Sequence, residues 1–140
     1  MRRTASIASI VLGVLLVIGG IGTWIVVSST LSDQNIVTSD DACLPGRSVS
    51  GPFTAYCQAK VIEKHTLEST GGLTYAELDR DDPLRETALT SSFLQSSLFT
   101  SIVAFGVAAM AVGLGVLFVL IGLGIRDVAL HISSTGARPV

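Results

Sequence analysis

Charge is missing from two long stretches of this 140-residue chain, and histidine and cysteine are scarce throughout it. Residues 5–27 and 87–125 contain no Asp, Glu, Lys, Arg or His. Proton relays and ion pathways use such groups at membrane depth, so their absence argues against transport by this chain alone. It leaves open a pore formed by an oligomer with a Ser/Thr lining. There are only two histidines, His65 and His131, and no Ser-His-Asp set, zinc spacing or phosphate loop can be identified. His65 and Glu68 stand at an i, i+3 spacing, with Glu63 nearby, and form the only cluster worth testing for a metal or an activity; such a pair is more often just a solvated helix face. No basic patch points to nucleic acid. Catalytic residues, a cofactor and a bound metal are therefore not expected.

What is present is apolar. Hydrophobic residues make up 49% of the chain and charged residues 14%, the balance of an integral membrane protein. The uncharged run Thr87–Ile125 is 39 residues long. As one helix it would reach about 60 Å, roughly twice the hydrocarbon thickness of a bilayer. Its second half, Ile102–Ile125, is almost all Val, Leu, Ile, Phe, Ala and Gly and is long enough to cross. Its first half, Thr87–Ser101, is rich in Ser and Thr and reads as a stalk above the membrane. Glycines 113, 115, 122 and 124 fall inside this span rather than after a strand, so they are not a nucleotide fingerprint.

Ala5–Val27 is a second apolar run, behind the basic head Met1–Thr4. A signal peptide would have a shorter apolar core and a small-residue cleavage site. Ser28-Ser29-Thr30-Leu31 matches that poorly, and a retained first transmembrane helix is the expectation, with Trp24 near its outer interface.

Between Ser28 and Thr87 lie ten acids and five bases, whereas the two ends hold Arg2, Arg3, Arg126 and Arg138 against Asp127. Arginines beside membrane ends stay in the cytoplasm. Both termini are expected there, in a multi-pass plasma-membrane protein with the central segment outside. Cys43 and Cys57 lie in that segment, with thirteen residues between them. Outside the cytoplasm such thiols pair, and the loop closed would stabilise the domain by about 3 kcal/mol in the chain-entropy account. Two free thiols or a metal pair are the alternatives, though no Cys-x-x-Cys or nearby His pair supports a metal.

Each span carries a small-residue stripe. Ser6, Gly13 and Gly20 recur every seven residues on the first, with Ser9, Leu16 and Thr23 interleaved. On the second, Ala104, Ala108, Ala111, Gly115 and Gly122 follow heptad-like steps, with Phe118 the one large residue among them. Lipid is as apolar as leucine, so membrane helices associate through close packing at small residues. The two stripes are expected to face each other, leaving Ala109 and Gly113 for a neighbouring chain. The bland alternative is that glycine is simply common in membrane helices.

The central segment has local signals. Leu31–Val49 reads as irregular, with a Pro45-Gly46 turn. Ser50-Gly51-Pro52 starts a helix over Phe53–Leu67 that Gly71-Gly72 ends. Thr74 and Glu77 form a capping box, flanked by a Leu73–Leu78 staple, and predict a further helix start. Asp82-Pro83 predicts the start of one continuous helix from Pro83 to about Ile125. His131–Val140 reads as a short disordered tail.

The stretches Gly51-Pro52-Phe53-Thr54-Ala55-Tyr56, His65-Thr66-Leu67, Thr70 through Leu78, Asp81-Asp82-Pro83 and Ser92-Phe93-Leu94 carry a family likeness. The chain resembles, over roughly Thr38–Ile125, small two-span actinobacterial membrane proteins labelled "aromatic ring-opening dioxygenase LigA". The resemblance implies the two-span architecture. It does not bring the labelled activity, because ring-opening dioxygenases of that name are soluble and use iron held by two histidines and a carboxylate. His65 and His131 are expected on opposite sides of the membrane, so one chain cannot assemble that set.

The expected fold is an all-α membrane protein with two antiparallel transmembrane helices and a small, disulfide-linked, mainly helical extracytoplasmic domain between them. The expected division is 1–4 cytoplasmic, 5–27 first span, 28–101 extracytoplasmic domain and stalk, 102–125 second span and 126–140 cytoplasmic tail. The expected function is a non-enzymatic structural or accessory protein of the cell envelope. It would contact the lipid bilayer and act as a homo-oligomer or as a subunit of a larger membrane complex, with an oligomeric pore or transport component as the alternative.

Overall fold

The computed structural model describes residues 2–135, with side chains over residues 4–128. Among the described residues there are three helices: α1 (Arg2–Asp33), α2 (Pro52–Ser69) and α3 (Arg85–Thr135). Helices α1 and α3 are each long and apolar enough to cross a membrane. With 32 and 51 residues, they extend about 48 Å and about 76 Å. Contacts divide the chain into two units, Met1–Trp24 with Val107–Val140, and Ile25–Gly106.

The first unit is an antiparallel helix pair. Ser6 meets Gly122, Gly13 meets Gly115 and Gly20 meets Ala108, so α1 is read upward as α3 is read downward. Each step is seven residues on both helices. Such a repeat keeps one face of an α-helix in contact with its neighbour only if the pair winds gently, left-handed, about itself.

The second unit is built around the end of α1, α2 and the beginning of α3. Leu31, Val49, Ala55, Ala59, Leu98 and Phe105 form its core, with Val27, Ile36, Ile62 and Ile102 packed against it. Phe105 and Val49 are the largest fully buried side chains. Within residues 87–101, Leu98 belongs to this core and Ala88 is buried too.

Helix α1 continues six residues beyond Val27, which corrects the expectation that Leu31–Val49 is irregular throughout. The hydroxyls of Thr30 and Ser32 bond back to the carbonyls of Val26 and Ser28, so these polar residues extend the helix without opening it. Asn35, with φ +52°, ends it in the left-handed region that Asn tolerates. The loop beyond has order of its own. Val37 and Ser48 form an antiparallel bridge, and Val49 N–H donates to Ile36 O at 2.9 Å. Buried Thr38 is its hub: the backbone N–H donates to Arg47 O at 2.9 Å, the side-chain oxygen accepts Arg47 N–H at 2.9 Å, and the hydroxyl also reaches Leu44 O. Cys43 and Cys57 are disulfide-paired, their Cα atoms 5.3 Å apart, which ties this loop to α2. Ala42, Cys57 and Val61 form a small second core there.

Helix α2 begins where Pro52 occupies the first turn, and Thr54 Oγ1 accepts the Gly51 amide at 3.2 Å. It ends at Ser69 with Thr70 as its C-cap, and just beyond it Gly71 and Gly72 take positive φ, Gly72 N–H returning to Leu67 O at 2.7 Å. The helix start expected at Thr74 is a single turn instead. Glu77 does reach back to the Thr74 amide (2.8 Å), but the Thr74 hydroxyl donates to the same carboxylate (2.7 Å). Leu78 is buried while Leu73 stays exposed, so the staple does not close. Asp82 caps α3 by accepting Leu84 N–H at 2.8 Å, and the helix itself begins at Arg85 rather than Pro83. Arg85 lies over the Tyr75 ring, 4.4 Å from its centroid, and donates to Leu78 O. At the other end α3 runs to Thr135, so residues 131–135 are helical and not a disordered tail. The remainder of the expected tail, from residue 136, and the His131 side chain lie outside the described residues.

Candidate functional site

The seam of the α1–α3 pair is the most specific construction in the molecule. A Cβ on Gly13 would sit 2.5 Å from Gly115 O and 2.8 Å from a Val119 methyl; one on Gly115 would sit 2.6 Å from Gly13 O. A Cβ on Gly20 would meet Ala108 O at 2.7 Å, and one on Gly122 would meet Ile10 at 2.6 Å and Ser6 O at 2.9 Å. Real Cβ atoms essentially never come this close. With hydrogens there instead, the two backbones approach until Cα–H groups face carbonyl oxygens, a weak attraction repeated along the seam.

Two hydroxyls add stronger bonds. Buried Ser6 donates to Gly122 O and half-buried Ser9 donates to Phe118 O, both at 2.7 Å. Thr23 turns back to Gly19 O within its own helix. Ser and Thr are tolerable in an apolar environment when so satisfied, and each of these hydroxyls donates to a backbone carbonyl.

Of the remaining stripe residues, Ala108 is buried and Ala111 is half-buried. Both line a shallow apolar groove shared with Leu15, Leu16, Gly19, Gly20, Thr23 and Val107. Ala104 is half-buried and belongs to the second unit, so the seam of the first unit does not include it. Gly113 faces open space and Ala109 is exposed, both outside the seam.

The polar surface of the second unit has one organised cluster. Asp41, in the cystine loop, accepts from Lys64 Nζ and contacts His65 Nε2 of α2, each at 2.9 Å. The Lys64 and His65 bonds hold the Asp41 carboxyl down to about 2, and Asp41 in turn raises Lys64. Glu63 pairs with Lys60, and Glu68 lies 3.9 Å from Lys64. The trio considered from sequence, Glu63, His65 and Glu68, is thus drawn to three different partners. Among the described residues no group of three or more His, Cys, Asp and Glu side chains could hold a metal. The Asp41–His65 contact spans 24 residues and the Thr38 hub depends on Leu44 and Arg47; neither has a local sequence signal.

Chemically, this arrangement can hold helices and a loop together. No protein-family model, curated protein or solved structure matches the chain, and its own geometry carries the functional reading.

Proposed function

We propose that the protein is a non-enzymatic integral membrane component of the cell envelope, structural or accessory, self-assembling or docked as a small subunit of a larger membrane complex. Residues 5–27 of α1 and 102–125 of α3 are its two spans, both termini are cytoplasmic, and residues 28–101 lie outside. The two-span character is also what the family resemblance over roughly residues 38–125 implies.

One observation carries the membrane reading. In the most apolar windows of α1 and α3, only 11% and 17% of residues are buried within the molecule. Ile7, Leu15, Ile18, Met110, Leu117 and Leu120 are among the large apolar side chains left exposed. Soluble proteins rarely carry a contiguous apolar surface of this extent, whereas hydrocarbon covers it without cost. Internal hydrogen bonds of Ser6, Ser9 and Thr23 favour the structural role over a Ser/Thr-lined pore.

Native mass spectrometry of the detergent-extracted protein tests the proposal. A defined homo-oligomer or a complex with another membrane protein supports it. A strictly monomeric chain that retains one iron, lost in His65→Ala, and consumes oxygen with catechols would overturn it in favour of an enzyme.

A further inference from the structure

In the second unit the first turn of α2 is fastened to α1. Ser28 Oγ donates to Ser50 O at 2.7 Å, while Val27 and Leu31 share a core with Val49 and Ala55. Helix α2 therefore starts at the level where the apolar run of α1, residues 5–27, gives way to serines. Phe53, in that first turn, is 78% exposed, more than any other large apolar side chain described. Tyr56 follows one turn later and is also exposed. The next position along this progression is Lys60, paired with Glu63, so the surface passes from aromatic to charged within about two turns. On α3, Phe99 is exposed immediately after Leu98, which packs in the same core as Leu31.

We propose that Phe53 and Tyr56 anchor the start of α2 in the outer lipid headgroup interface, so that the partner of this surface is the bilayer itself. The proposal rests on the two-span reading. Tyr and Trp concentrate at this depth because the ring gains from leaving water while the hydroxyl or N–H stays wet, and a phenyl ring, which has no such group, gains by lying deeper. Phe53 supplies the deeper ring and Tyr56 the amphipathic one. A protein partner would not require Phe53 and Tyr56 to coincide with the end of the apolar run of α1, or to yield to Lys60 one turn later.

Lipid quenching of single tryptophans tests it. In a Trp24→Phe background, Phe53→Trp, Ile18→Trp and Thr87→Trp are placed separately in phosphatidylcholine vesicles brominated near the headgroup end or deep in the acyl chain. Helicity is checked by circular dichroism, and Tyr56→Trp reads the same interface should Phe53→Trp fail to fold. Phe53→Trp is expected to emit at shorter wavelength than free indole and to lose more than half its emission to shallow bromines. Ile18→Trp should be quenched by deep bromines. Thr87→Trp, about 22 Å from Ile102 along α3, should be unaffected. An unquenched Phe53→Trp beside a quenched Ile18→Trp overturns the anchor and leaves the spans standing. A blue-shifted but unquenched Phe53→Trp means that another chain covers the site and also overturns it. Quenching of Thr87→Trp equal to that of Phe53→Trp removes the interfacial specificity on which it depends. An unquenched Ile18→Trp overturns both the spans and the anchor.

Discussion

Gly13 and Gly115 face each other so closely that a Cβ on either would lie within 2.6 Å of the other's carbonyl oxygen. The contact is reciprocal, so neither helix can relieve a substitution on the other without moving its backbone. Gly115→Leu or Gly13→Leu is expected to cost at least the roughly 1–3 kcal/mol of an overpacked core. Gly113→Leu, which meets open space, should leave the stability of the single chain within about 0.5 kcal/mol. Denaturation of each variant in detergent compares them. Equal losses at Gly113 and Gly115 would mean that the seam does not hold the pair. A smaller assembly with Gly113→Leu at unchanged monomer stability would identify that face as the contact for a neighbour.

Ser6 tests the polar half of the same seam. Ser6→Ala removes the bond to Gly122 O but keeps the small volume, and Gly122 O retains its helical partner. A loss of about 0.6–2 kcal/mol is expected, the range for hydrogen bonds between membrane helices. Ser6→Val should cost more, since added methyls press on a buried position. A neutral Ser6→Ala would assign the seam's stability to packing alone.

The Cys43–Cys57 pair fastens the loop around Thr38 to α2. Non-reducing peptide mapping should recover the two cysteines linked. Replacing both by serine is expected to lower stability by about 2–4 kcal/mol. Hydrogen exchange should show lost protection at the Thr38, Arg47 and Val49 backbone bonds while the α1–α3 seam is unchanged. Quantitative alkylation of both thiols without reduction would contradict the pairing.

The loop also has an electrostatic tie to α2. Asp41 is held down to about 2 by its bonds to Lys64 and His65, so it binds fewer protons in the folded chain than in the unfolded one. Its stabilising contribution is present above the ordinary carboxylate range and is lost as pH falls from about 4 through about 2. Lys64, raised by the same pair, contributes below its ordinary value and loses that contribution as pH rises through its higher folded one. Carboxyl NMR of Asp41 should show the depressed titration, and Lys64→Ala should move it upward. An Asp41 that titrates near 4 in the native chain would show that the cluster does not form in solution.

The long elements could be read from sequence because their causes are local. The uncharged runs, the Gly71-Gly72 stop and the Asp82-Pro83 start each act within a few residues. The seven-residue recurrence of Ser6, Gly13 and Gly20 likewise states a helix face directly. The Thr74–Glu77 box misled for a physical reason. Pro83 disfavours helix at Asp82, leaving too few residues after Thr74 to repay helix nucleation, and Arg85 then folds back over Tyr75. The Thr38 hub and the Asp41–Lys64–His65 cluster could not be seen at all, since each depends on partners brought together only by the folded loop. The place of Leu98 in one core with Leu31 was hidden in the same way: a Ser/Thr-rich run reads as a stalk without saying which of its residues enters a core.

Membrane orientation is the central claim, and thiol labelling in intact cells tests it most directly. The native cysteines are paired with each other, so single cysteines introduced at Ser69 and at Ser133 can be read separately with a membrane-impermeant reagent. Ser69 closes α2 in the unit assigned to the outside, and Ser133 follows Arg126 on the side assigned to the cytoplasm. Labelling at Ser69→Cys, with Ser133→Cys labelled only after the cells are opened, is the expected result. Labelling of both sites in intact cells, or of Ser133→Cys alone, would contradict the account.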